Sequence, residues 1–141
     1  MSKSISAIWL QIACFITIVF GFFSALASFP PTQGIWLFLF DLLQWPLDGN
    51  PAGFDPTAAA LNAVLGGVMV GWGTLMLLLV RNLYHDQDKL VRRLVLVGIL
   101  CWFVVDSVGS FLAGIPGNVV LNVGFLAMFL PPLLVINHDS P

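Results

Sequence analysis

The chain has 141 residues, of which 59% are hydrophobic and 9% charged, with a formal net charge of −2. Soluble domains carry about 25% charged residues, so the composition excludes a protein wetted on all sides. The five Lys and Arg form no patch that could follow a phosphate backbone, which excludes a nucleic-acid partner. Cys14 and Cys101 both sit inside apolar runs without a CxxC partner, which excludes a disulfide framework and a thiol-redox pair.

The first apolar run covers residues 5–29 and holds no charge. At about 1.5 Å per helical residue it is long enough for a ~30 Å hydrocarbon core. Lys3 before it and the Ala25-Leu26-Ala27 triplet also fit a signal peptide with an A-x-A cleavage site. The apolar stretch is longer than an ordinary h-region, and a retained helix is the expectation. Pro30-Pro31 should end it.

Residues 35–47 (IWLFLFDLLQWPL) are too few to span. Asp41, Gln44 and Asp48 would share one helix face, with Trp36 and Trp45 as interfacial anchors. This pattern predicts a short helix lying in the membrane interface or folded over the bundle as a lid. Residues 48–57 read as a turn-rich loop without the spacing of a calcium-binding loop. At its end, Asp55-Pro56 is an N-cap followed by proline at the first helical position.

The second crossing is predicted at 58–80. Ala59, Ala63, Gly67 and Gly71 recur every four residues, a small-residue ridge that lets another helix approach closely, within the bundle or between protomers. The third crossing is predicted at 94–116, and the fourth at 119–136 with Asn118 as its N-cap and Pro131-Pro132 kinking or ending it. The whole is one domain, 1–141: an all-α integral membrane four-helix bundle with a short interfacial helix between the first two crossings. Lys3, Arg81, Lys89, Arg92 and Arg93 fall on one side of that bundle, and Asp41, Asp48 and Asp55 on the other. The positive-inside rule then puts both termini in the cytoplasm.

Asp106 lies well inside the third crossing. A carboxyl at that depth is expensive, so it is paired, protonated or used. Trp102 and Ser110, four residues to either side, share its face. Asn62 on the second crossing and Asn122 on the fourth reach a similar depth, and Trp72 and Trp102 sit near mid-membrane. Asp106, Ser110, Asn62, Asn122, Trp102 and Trp72 are therefore the candidate ligand-binding residues. They suit a proton site or the polar end of a pocket for a membrane lipid or quinone-like molecule. The alternative is a structural carboxyl hydrogen-bonded across helices, with the tryptophans filling space beside glycines. His85 and His138 lie outside the crossings, and no group of side chains has metal-ligand or haem-ligand spacing. No nucleophile–base pair or nucleotide loop is visible, so the sequence calls for no cofactor and argues against an enzyme. Lipid chemistry in a four-helix pocket would want two buried acids, and Asp106 is the single one.

Over residues 61–116 the chain reads LNAVLGGVMVGWGTLMLLLV, then a basic loop, then a third helix closing on SxxxGIP. This pattern resembles small bacterial four-helix membrane proteins of the DoxX-like group and related families of unknown function. Many of those have an arginine on the third helix, where this chain has the Asp106 region. The resemblance implies a bundle in a bacterial inner membrane. It implies no activity, and because some such proteins are subunits of quinone-linked oxidoreductases it leaves room for the role that the glycine ridge, short loops and absence of catalytic residues favour: a bundle that packs against itself as a homo-oligomer or serves as an accessory subunit of a larger complex.

Overall fold

The computed structural model describes residues 2–44, 48–49 and 53–134. Its α-helices in chain order are α1 (Lys3–Leu26), α2 (Gly34–Gln44), α3 (Pro56–Leu83), α4 (Asp88–Leu112) and α5 (Pro116–Leu134), with a 3-10 turn at Pro30–Thr32 between α1 and α2. No strand occurs among the described residues. α1, α3, α4 and α5 are each long and apolar enough to cross a membrane. Large side chains such as Phe15, Val68, Val105 and Phe111 cover the outside, as a bundle solvated by lipid requires. Trp45, His138 and the segment 137–141 lie outside the described residues.

Local chemistry sets the helix ends. Ser2 caps α1 by accepting from Ile5 N at 3.3 Å. Asp55 caps α3 by accepting from Ala58 N at 2.7 Å, with Pro56 at the first helical position. Gly114, at φ 77°, follows the end of α4. Its N–H reaches the Phe111 carbonyl at 3.1 Å and the next N–H, from Ile115, reaches the Ser110 carbonyl at 2.9 Å, a Schellman closure. Pro116 then starts α5 at once. The expected boundaries shift accordingly: α3 and α4 absorb most of the basic connection, leaving Tyr84 to Gln87 as the link. α5 runs on through Pro131 and Pro132 rather than stopping there. Pro132 has no N–H to give the Met128 carbonyl, and the indole N–H of Trp9 on α1 takes that carbonyl instead at 2.9 Å. A proline cost in one helix thus becomes a cross-link to another.

α1 packs most extensively on α3, and α4 on α5; α1 also meets α5, and α3 meets α4. The α1–α3 contact is backbone to backbone. A Cβ on Gly66 would stand 2.5 Å from the Gly21 carbonyl oxygen and 2.7 Å from the Ala25 Cβ. A Cβ on Gly73 would stand 2.8 Å from the Ile18 side chain, and one on Gly21 2.8 Å from Val70 N. The helix contact made inside the chain is therefore at Gly66 and Gly73. The ridge of Ala59, Ala63, Gly67 and Gly71 does not make it: Ala63, Gly67 and Gly71 are exposed, Ala59 is half-buried, and a Cβ at Gly67 or Gly71 would meet nothing within 4 Å.

The bundle is closed at one end and hollow at the other. Toward the end that carries the basic residues, Leu10, Cys14, Met76, Val80, Tyr84, Val95, Ile99 and Phe129 fill the centre. Lys3 Nζ meets Asp88 Oδ1 at 3.2 Å there, and Arg92 Nε donates to the Tyr84 hydroxyl at 3.1 Å. At the other end α2 folds across the bundle. Trp36 is buried rather than anchored at the surface, and Asp41 is buried too, accepting the Gly49 N–H at 3.0 Å. Gln44 and Asp48 are exposed, so the three polar residues do not share one wet face. Gly117, in the first turn of α5, lets the α2 backbone at Leu43 come down onto it.

Candidate ligand-binding cavity

Beneath α2 lies a cavity of about 280 Å³. All six residues singled out from the sequence, Asp106, Ser110, Asn62, Asn122, Trp102 and Trp72, line it. They arrive from three helices, α3, α4 and α5, and α2 closes the space with Trp36, Leu39, Phe40 and Leu43. The size approaches that of small-molecule sites, which are mostly apolar with a few converging polar groups.

The polar wall centres on one oxygen. Oδ1 of Asp106 accepts from the Ser110 hydroxyl at 2.9 Å, from Asn118 Nδ2 at 2.9 Å and from Asn122 Nδ2 at 3.1 Å. Asn118 Nδ2 also donates to Ser110 Oγ at 2.8 Å, and Asn122 Nδ2 to Ser107 Oγ at 3.2 Å. Asp106 and Ser110 are one helical turn apart on α4, and Asn118 and Asn122 one turn apart on α5, so two i,i+4 pairs face each other across the hairpin. No other titratable side chain is among the lining residues.

Asn62 lines the same cavity but joins a different network. Its Oδ1 accepts from the Trp36 indole N–H at 3.0 Å, and its backbone carbonyl accepts from the Ser24 hydroxyl at 3.0 Å. Asn62 therefore pins α2 and α1 to α3, and it is not among the donors to Asp106.

Two contributors were missed at the sequence level. Asn118 was assigned to capping α5, yet α5 begins two residues earlier at Pro116, which turns the Asn118 amide inward. The Pro at the first helical position was the available signal. Trp36 is a surface anchor only if α2 lies in the interface; α2 instead takes the other arrangement its sequence allows, over the bundle, and Trp36 is buried with its indole N–H on Asn62.

The aromatic wall is continuous. Trp72 and Trp102 have ring centroids 6.0 Å apart, Trp102 and Phe125 6.1 Å, Phe125 and Phe20 5.0 Å, and Phe20 and Trp36 6.1 Å. Leu65 and Val68 on α3 line the cavity and yet are 49% and 62% exposed, so this wall is also the outer surface of the bundle. No group of three or more His, Cys, Asp or Glu side chains able to hold a metal exists among the described residues. Compared with protein-family models, curated proteins and solved structures, the chain matches none.

Proposed function

We propose that this protein binds a small amphipathic molecule from the bilayer in the cavity beneath α2, with its polar end at Asp106. The observation that carries this reading is the convergence of a three-donor carboxyl and an unbroken aromatic wall on one cavity. A purely structural Asp106 would need its donors but not a cavity beside them. Leu65 and Val68 mark the side on which a membrane-dissolved molecule reaches the space. Native mass spectrometry of the protein released from its own membranes should show one small-molecule adduct per chain. Val68→Trp, which fills the exposed wall without touching the α1–α3 contact, should abolish that adduct. The same adduct in both proteins, or bulk phospholipid alone, would end this reading.

A second reading is supported by the outward ridge at Ala63, Gly67 and Gly71. Small residues on a lipid-facing surface let another helix approach closely. The protein would then pair with itself or serve as an accessory subunit of a larger membrane complex, the role that a DoxX-like relationship would favour. The two readings are compatible, because the ridge and the cavity occupy different faces of α3.

For orientation, the basic end belongs in the cytoplasm of a bacterial inner membrane, with both termini there, by the positive-inside rule. Reporter fusions after Ser4, Gly49, Gln87, Gly117 and Ser140 should read in, out, in, out, in. A cytoplasmic signal at Gly49 would contradict the arrangement.

A further inference from the structure

We infer that the ligand is a hydrophobic cation, an amine or quaternary ammonium joined to an apolar body. This rests on the cavity being a binding site and concerns which molecules it takes. The donors around Asp106 are gathered on one side of its carboxyl. Ser110 donates to Oδ1, and the Asn118 and Asn122 amides reach Oδ1 as well as the Ser110 and Ser107 hydroxyls respectively. All three donors to the carboxyl converge on Oδ1, and no described residue donates to Oδ2. Oδ2 is therefore an acceptor to which no described residue donates, and it suits a ligand that brings a positive charge.

No Lys, Arg or His is among the described residues that line the cavity, so none of these supplies a counter-charge to the carboxyl. A ligand cation does, in a setting where water screens little.

Trp72, Trp102, Phe125, Phe20 and Trp36 form an arc with neighbouring centroids 5.0 to 6.1 Å apart, all of it lining the same space as Asp106. The indole N–H of Trp36 is occupied by Asn62. Ring faces beside an acid are the surroundings in which proteins hold ammonium groups, because the negative face of each ring attracts the cation. A neutral ligand gains only the apolar contact.

The test compares two probes of the same shape. Benzyltrimethylammonium carries the charge; neopentylbenzene replaces its nitrogen by carbon. Each is titrated into the full chain in a neutral detergent, with tryptophan fluorescence as readout and Val68→Trp as the blocked-cavity control. The cation should bind the parent at least about tenfold more tightly than its Asp106→Asn variant, while neopentylbenzene should not distinguish the two. Helical circular dichroism and an unchanged elution volume confirm that Asp106→Asn is folded. If neopentylbenzene binds as well as the cation and Asp106→Asn alters neither, the cation assignment is wrong and the cavity still binds. If neither probe separates the parent from Val68→Trp, the binding site itself is refuted.

Discussion

Gly66→Ala should be strongly damaging for a single added methyl, destabilising the fold by about 3 kcal/mol, the upper range for overpacking a tight contact. The added carbon has nowhere to go. It would stand 2.5 Å from the Gly21 carbonyl oxygen and 2.7 Å from the Ala25 Cβ, and its contact with the Ala25 amide is closer still. These neighbours are backbone or the first side-chain atom, so no rotamer change relieves the clash, and α1 and α3 must separate. Unfolding followed in mixed micelles as denaturing detergent is raised gives the number directly. Gly67→Ala, one residue along, should shift the same curve by no more than about 0.5 kcal/mol, since open space surrounds that position. Gly67→Leu should also leave the chain folded. If the outward ridge mediates assembly, it should shift size-exclusion elution toward a smaller species. Equal damage from Gly66→Ala and Gly67→Ala would mean that the α1–α3 contact is not the one described.

Asp106→Leu should cost about 1–3 kcal/mol and remove the cavity's preference for a cation. The change removes the acceptor shared by Ser110, Asn118 and Asn122 and leaves their hydrogens in an apolar setting. The loss is bounded because two bonds survive, Asn118 to Ser110 and Asn122 to Ser107. Asp106→Asn keeps a side-chain oxygen for the same donors, so its stability should lie much closer to the parent. The pair of variants therefore separates holding the bundle together from holding a ligand. If Asp106→Leu melts with the parent, the polar wall adds nothing to the fold.

The four crossings were legible because length and uninterrupted apolarity suffice for them, and a lone acid in such a run announces itself by its cost. The candidate ligand residues were found by depth along their helices, a quantity that sequence spacing carries well. Direction around the helix is carried poorly. In a soluble helix the polar stripe marks the outside, but in lipid both faces are apolar, and α3 has two smooth faces. Gly67 and Gly71 mark one; Gly66 and Gly73 mark the other, and it is the second that meets α1. The partners on α1, Gly21 and Ala25, are four residues apart, the spacing of a close helix contact, but one such pair does not say which face of α3 it meets. α2 posed the same difficulty in another form. Trp36 has the composition of an interfacial anchor, and only the position of Asn62 on a distant helix makes it a buried donor.

The Schellman turn at Gly114 has a consequence for how the protein enters its membrane. It joins α4 directly to α5, and the carboxyl and its donors all lie on those two helices, with the amides 12 and 16 residues after Asp106. The polar groups most reluctant to leave water are thus satisfied by one another within a single helical hairpin, before α1, α2 or α3 is in place. If the hairpin inserts as a unit, it carries its acid across already partnered, and the later arrival of α1 and α3 need only enclose it. The hollow half of the bundle is then the space left when a self-sufficient hairpin meets a second pair of helices whose close contact lies elsewhere.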